Sequence, residues 1–309
     1  MRSPWYPRRD SNPHGRSLGI LSPLCLPFHH AGPTPVLTQN IHLDQSFDRC
    51  RRTSDAAAFR QSLPARVRPL VTGGALGFPR PMRALLLFTI CLVLAGCGRP
   101  LTDSEVSYLR ALQGEQTNPD RVRLHDGHFA GSFRYQMPAR PRLTCQERIL
   151  PPVGGETITV SPGATVIFNR VFYRDDLYED DLMAGWPEEV DLFQAMLFAH
   201  EMTHVWQWQN RRRTGYSPLK ALGEHTVSED PYLFDPEESG RFLDHGYEQQ
   251  GSIVEEYVCC RLLDPEAPRT ARLREMIGAE MPITRLDDVL DSPRVRIPWA
   301  GATVEGICR

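Results

Sequence analysis

The chain has 309 residues, with 35 Lys plus Arg against 38 Asp plus Glu and a formal net charge of −3. That length allows one or two domains. The charge is unevenly spread: residues 1–97 hold 12 basic and 4 acidic side chains, a net of +8, whereas residues 98–309 hold 23 and 34, a net of −11. So acidic a body argues against nucleic acid as a partner, because phosphate neutralisation needs clustered cations.

Residues 1–81 carry scattered prolines (Pro4, Pro7, Pro13, Pro23, Pro27) and no sustained period of 3.6 or 2. Met82-Arg83 is followed by an unbroken apolar run, Ala84–Leu94, and then by Leu94-Ala95-Gly96-Cys97. A basic start, an apolar core and small residues at a cleavage point read as a secretory signal peptide. The run is too short for a membrane span. Leu94-Ala95-Gly96-Cys97 resembles a bacterial lipobox, which implies lipidation at Cys97 and a membrane anchor there. Residue 98 is Gly rather than Asp, which points the expectation to the periplasmic face of the outer membrane. A signal peptide must begin near the N-terminus, so residues 1–81 are expected to be an untranslated or disordered leader. The expected division is a leader (1–81), a lipoprotein signal (82–97), a tether with a short helix (98–120) and one metal-binding domain (121–309).

Export would place Cys145, Cys259, Cys260 and Cys308 in an oxidising compartment, where four cysteines suggest two disulfides. Cys259 and Cys260 are neighbours, so each is expected to pair with Cys145 or Cys308, in an order the sequence leaves open.

Residues 121–173 read as a β-rich half cut by Pro and Gly into His128–Tyr135, Leu143–Leu150, Thr157–Val160 and Thr165–Tyr173. His125 and His128 read as loop or surface histidines rather than ligands, and Asp175–Asp181 as a solvated acidic loop.

The chemistry centres on His200-Glu201-Met202-Thr203-His204, an H-E-x-x-H pattern. On a helix, His200 and His204 share one face and can bind one metal ion, with Glu201 directed at its open side as a general base. Pro187, Glu188 and Glu189 read as the helix start, Arg211–Arg213 suit its end, and Gly215 is the stop. Residues 216–246 are rich in turn signals, and His225, Tyr232 and His245 could reach a cleft from there.

A second helix is expected over Asp244–Leu263. Glu248, Gly251 and Glu255 lie on one stripe of it at i, i+3 and i+7. Glycine allows close approach to the histidine helix. Glu248 can then complete the metal site, and Glu255 is either the partner of a ligand's outer nitrogen or the alternative ligand. Pro268–Gly278 reads as a further helix, and residues 281–309 as irregular.

His200-Glu201-x-x-His204 followed by Glu248-x-x-Gly251 resembles the gluzincin clan of zinc metallopeptidases. The string HEMTHVWQWQ also looks like small bacterial HExxH domains, some of them associated with contractile injection systems. The resemblance implies an α+β, zincin-like fold: a small β-rich half with an edge strand (Thr165–Tyr173), a long HExxH helix and a second ligand-bearing helix. It implies Zn2+ on His200, His204 and Glu248, Glu201 as base, and a peptide or protein substrate. Tyr247 and His245 are candidates to stabilise an oxyanion. The functional expectation is a membrane-anchored zinc metallopeptidase; the alternative is a non-catalytic zinc-binding lipoprotein or interaction module.

Overall fold

A computed structural model of the chain describes residues 98–128, 131–290 and 293–309. The leader, the signal segment and Cys97 lie outside them. Among the described residues no helix is long and apolar enough to cross a membrane.

The segment expected as a tether belongs to the core. Helix α1 (Asp103–Gln113) starts at a capping box, in which Thr102 accepts from the Glu105 amide and Glu105 accepts from the Thr102 amide. Tyr108, Leu109 and Leu112 are buried, and the Tyr108 hydroxyl donates to the Ala195 carbonyl at 3.0 Å. Glu105 is itself buried, against a bidentate Arg99 at 2.6 and 2.7 Å.

The β-rich half is smaller than its composition suggests. Strand β1 (Arg123–Asp126) falls before the expected His128–Tyr135 piece, and β2 (Tyr135–Pro138) starts where that piece ends. Leu143–Leu150 is not a strand: its centre is helix α2 (Cys145–Ile149), started by a second capping box between Thr144 and Glu147. Strand β3 (Thr157–Val160) pairs antiparallel with β2. The expected single strand over 165–173 is a hairpin, β4 (Ala164–Ile167) and β5 (Arg170–Tyr173), turning at Phe168-Asn169. Phe168 has φ of 61°, a left-handed conformation that costs a non-glycine residue roughly 1–2 kcal/mol. The sheet order is β1-β5-β4, with β1 parallel to β5 and β4 at an edge.

The histidine helix α3 (Leu192–Gln209) starts later than Pro187 because residues 189–191 form strand β6 (Glu189–Asp191). That strand pairs parallel with β7 (Arg294–Arg296). The Asp191 carboxylate then caps the helix by accepting from the Gln194 amide at 3.0 Å. A one-turn helix α4 (Arg211–Thr214) follows and ends at left-handed Gly215. The stretch expected as loop contains helix α5 (Pro218–Val227), with Ser217 as cap and Pro218 in its first turn. Helix α6 (Tyr247–Leu263) starts three residues after Asp244, because residues 242–244 form a separate 3-10 turn. Helices α7 (Pro268–Gly278) and α8 (Thr284–Val289) complete the chain.

Helix α3 is the axis of the packing, in contact with α6, β4 and α1. It is buried almost all round, from Leu192 to Gln207, as an interior helix must be if its apolar residues are to leave water. Two disulfides, Cys145–Cys259 and Cys260–Cys308, tie α2 and the C-terminus to the second half of α6.

Candidate metal centre

His200 and His204 project one turn apart from the buried middle of α3, with ring centroids 4.8 Å apart. Glu248 reaches them from the first turn of α6. The three donor atoms converge: His200 Nε2 to His204 Nε2 is 3.0 Å, and Glu248 Oε2 lies 3.4 Å from the first and 3.2 Å from the second. A tetrahedral ion with bonds of about 2.0–2.1 Å needs ligand atoms roughly 3.3 Å apart. The side chains of His200 and Glu248 have no solvent exposure and that of His204 has 3%. Glu248 Oε2 makes no hydrogen bond despite these neighbours. A buried acceptor left so is costly, and a cation among the three donors would satisfy it. Two imidazoles and a carboxylate are also the donor types zinc takes at open sites.

The outer nitrogens fix which ring atoms face inward. Gln207 Nε2 donates to the Tyr247 carbonyl and to Gln250 Oε1, each at 3.0 Å. That leaves Gln207 Oε1 to accept from His204 Nδ1 at 2.9 Å, so the His204 Nε2 lone pair points at the centre. His200 Nδ1 lies 3.2 Å from Glu255 Oε2, which places a carboxylate at that ring's outer edge. The structure therefore sets Glu248 beside both inner nitrogens and Glu255 at an outer one.

Gly251 makes this approach possible. A Cβ there would stand 2.6 Å from His200 Cε1 and 2.7 Å from its Nε2. Electrostatics follow from the clustering. Burial alone would lower the His200 pKa, but the Glu255 and Glu248 carboxylates raise it to about 10. Burial would raise Glu248, yet the charge of His204 and the closeness of His200 and His225 hold it well below the usual carboxylate range. Glu255 is raised, chiefly by burial. Glu201 is fully buried next to His200, and its charge acts on both imidazoles.

Two neighbours, Glu224 and Gln207, were not legible in advance, whereas His225 was among the residues expected to reach a cleft. Glu224 of α5 accepts from the Tyr247 and Glu248 amides at 2.8 and 3.2 Å, and so caps α6 from another helix. His225 Nε2 donates to Glu248 Oε1 at 3.3 Å. Gln207 stands one turn after His204, and only its polarity on a buried face signals it. Of the other loop residues, Tyr232 packs its ring 6.1 Å from His200 and 5.7 Å from His225. Tyr247 is turned away, its hydroxyl donating to the Gly215 carbonyl at 2.9 Å. His245 touches the network through its carbonyl, which accepts from Gln250 Nε2 at 2.9 Å.

The other candidate ligands lie elsewhere. His125 stacks on Phe172, and His128 bonds Thr165; burial and a neighbouring arginine lower both to about 4. Asp181 of the acidic loop accepts from the Thr102 and Ser104 hydroxyls. Cys145, Cys260 and Cys308 lie close together, but all are disulfide-bonded and offer no thiolate.

No family model matches the chain. It is similar to the type VI secretion system spike protein VgrG2b of Pseudomonas aeruginosa, 26% identical over 163 residues. The match covers 53% of this chain and only 13% of that protein. Among solved structures it resembles the effector domain of Pseudomonas aeruginosa VgrG2b, at 20% identity and a TM-score of 0.38, over 64% of this chain and 94% of that one. These findings correct the family, function and address expected from sequence. That relative is a secretion-system spike by name, not a gluzincin peptidase on a lipoprotein. A membrane-anchored peptidase at the outer membrane is accordingly withdrawn. The physical reason is that H-E-x-x-H specifies a pair of metal donors and a neighbouring base, and many unrelated frameworks can carry that pair.

Proposed function

We propose that the chain is a metal-dependent effector-type domain that works in type VI secretion, the setting its relative's name describes. His200, His204 and Glu248 hold one divalent ion, zinc by donor type, with Glu255 and Gln207 orienting the two imidazoles. The observation that carries this reading is the convergence of three buried donor atoms within 3.0–3.4 Å of one another, from two helices brought together at a glycine.

A structural zinc site has no use for an acid beside its ligands, and Glu201 favours hydrolysis over a purely structural role. Zinc held there supplies Lewis acidity, which makes water a nucleophile near neutral pH. Glu201 would take the proton of the attacking water and return it to the leaving group. His225, bonded to Glu248 and packed beside Tyr232, fixes that carboxylate from the α5 side.

Glu201→Gln keeps the shape and removes the base. The metal-loaded variant is expected to retain its ion and to lose about 10²–10⁴-fold in the rate on whichever chromogenic ester or amide probe the parent hydrolyses. Metal analysis beside initial rates checks this. Equal rates in parent and variant would remove Glu201 from the mechanism.

A further inference from the structure

We propose that the outer face of the three-stranded sheet is a binding groove for an acidic peptide segment of a protein partner. The inward residues of β1 and β5 (Leu124, Val171, Tyr173) are fully buried, so alternation turns Arg123, Arg170 and Phe172 outward. With Arg121 and Phe168 they line a cavity of about 810 Å³, the size of sites that take compact ligands.

Its arginines lack the carboxylate partners that hold several buried or half-buried arginines elsewhere. Arg99, Arg140, Arg261 and Arg269 pair with carboxylates. Arg123 and Arg170 are aligned on neighbouring strands, a like-charge arrangement that sheets avoid, and no ion pair is formed by either or by Arg121 among the described residues. Arg123 donates to the carbonyls of Asp120 and Val122, and Arg170 to the His125 ring at 3.2 Å. Three uncompensated guanidiniums thus share one groove on a body whose net charge is −11.

The second observation is the wall. Phe168 is the one described non-glycine residue at positive φ, yet it leaves 44% of its surface exposed. Its ring packs 4.5 Å from Trp208, over which Arg211 lies at 4.4 Å. Gln209 fixes the turn through Asn169 at 2.9 Å. A strained turn that holds an aromatic ring in water, pinned from behind, suits a preformed contact surface. Carboxylates answer the guanidiniums in bidentate fashion, and an apolar side chain answers Phe168 and Phe172. Asp175 lines the same cavity, so spaced carboxylates separated by apolar side chains fit it better than a continuous run of phosphates. The inference is independent of the metal centre.

The test titrates a fluorescein-labelled peptide alternating glutamate with phenylalanine into the full chain, followed by anisotropy. Saturable binding that weakens with salt is expected, with at least tenfold loss in Arg123→Glu/Arg170→Glu at unchanged metal content. Phe168→Gly relieves the turn, so it should weaken binding at equal or higher thermal stability, which a merely structural ring would not do. A lysine-for-glutamate peptide should not bind. Absent binding by the parent, equal affinity in the double variant, or preference for a labelled oligothymidylate would overturn the proposal.

Discussion

Gly251→Ala is expected to cost at least 10–100-fold in metal affinity, from a single methyl group on a residue that is not itself a ligand. Alanine improves helix propensity by up to about 1 kcal/mol at an interior position. That gain loses here. The added Cβ would meet His200 ring atoms at 2.6–2.8 Å, and the ring has nowhere to go. Its outer nitrogen faces Glu255, its inner one faces His204 and Glu248, and it has no exposed surface. Either α6 moves away, taking Glu248 with it, or the imidazole turns off its donor direction. Overpacking of this kind costs about 1–3 kcal/mol, and disturbed orientation of a ligand costs 10–100-fold in metal affinity. Urea unfolding of the metal-free protein and a zinc titration against a competing chelator separate the two effects. Unchanged affinity would mean that the helices separate without cost, and that the close approach is not what builds the site.

The second large effect concerns the ties behind the site. Cys145–Cys259 closes a separation of 114 residues and Cys260–Cys308 one of 48. On the chain-entropy account such loops are worth roughly 5 and 4 kcal/mol. Both bonds end on α6, one turn beyond Glu255, while Glu248, the proposed ligand, sits at the other end of that helix. Cys145→Ser/Cys259→Ser should therefore lower unfolding stability by about 2–5 kcal/mol, yet leave the metal bound in the absence of denaturant. The Cys260→Ser/Cys308→Ser pair should do slightly less, and both together should prevent stable folding. Urea midpoints with zinc content measured in the same samples check this. An unmoved midpoint would show that the unfolded chain is already constrained.

The convergence of His200, His204 and Glu248 was legible because helical spacing is short-range and rigid. His200 and His204 four apart, and Glu248 with Gly251 three apart, need only the helices to exist. The outer-nitrogen partners were half legible: Glu255 shares the stripe of Glu248, but Gln207 and Glu224 act through contacts between helices that no local pattern encodes. Local signals also competed. Thr144-x-x-Glu147 is a capping box, and it outweighed the strand-like composition of Leu143–Leu150. Ser217-Pro218 is a helix start that a run of turn signals concealed. Residues 165–173 look like one strand because Phe168, at the turn, is a strand-favouring residue in a glycine-like conformation. The wider identity was least legible, since the motif specifies a donor set and not the protein that carries it.

The most direct test of the account is the metal content, zinc and iron both counted, of the purified chain beside Glu248→Ala. Three convergent donors predict about one zinc per chain in the parent and clearly less in the variant, with both folded by circular dichroism. A folded parent without metal, or a variant that keeps the full complement, would contradict it.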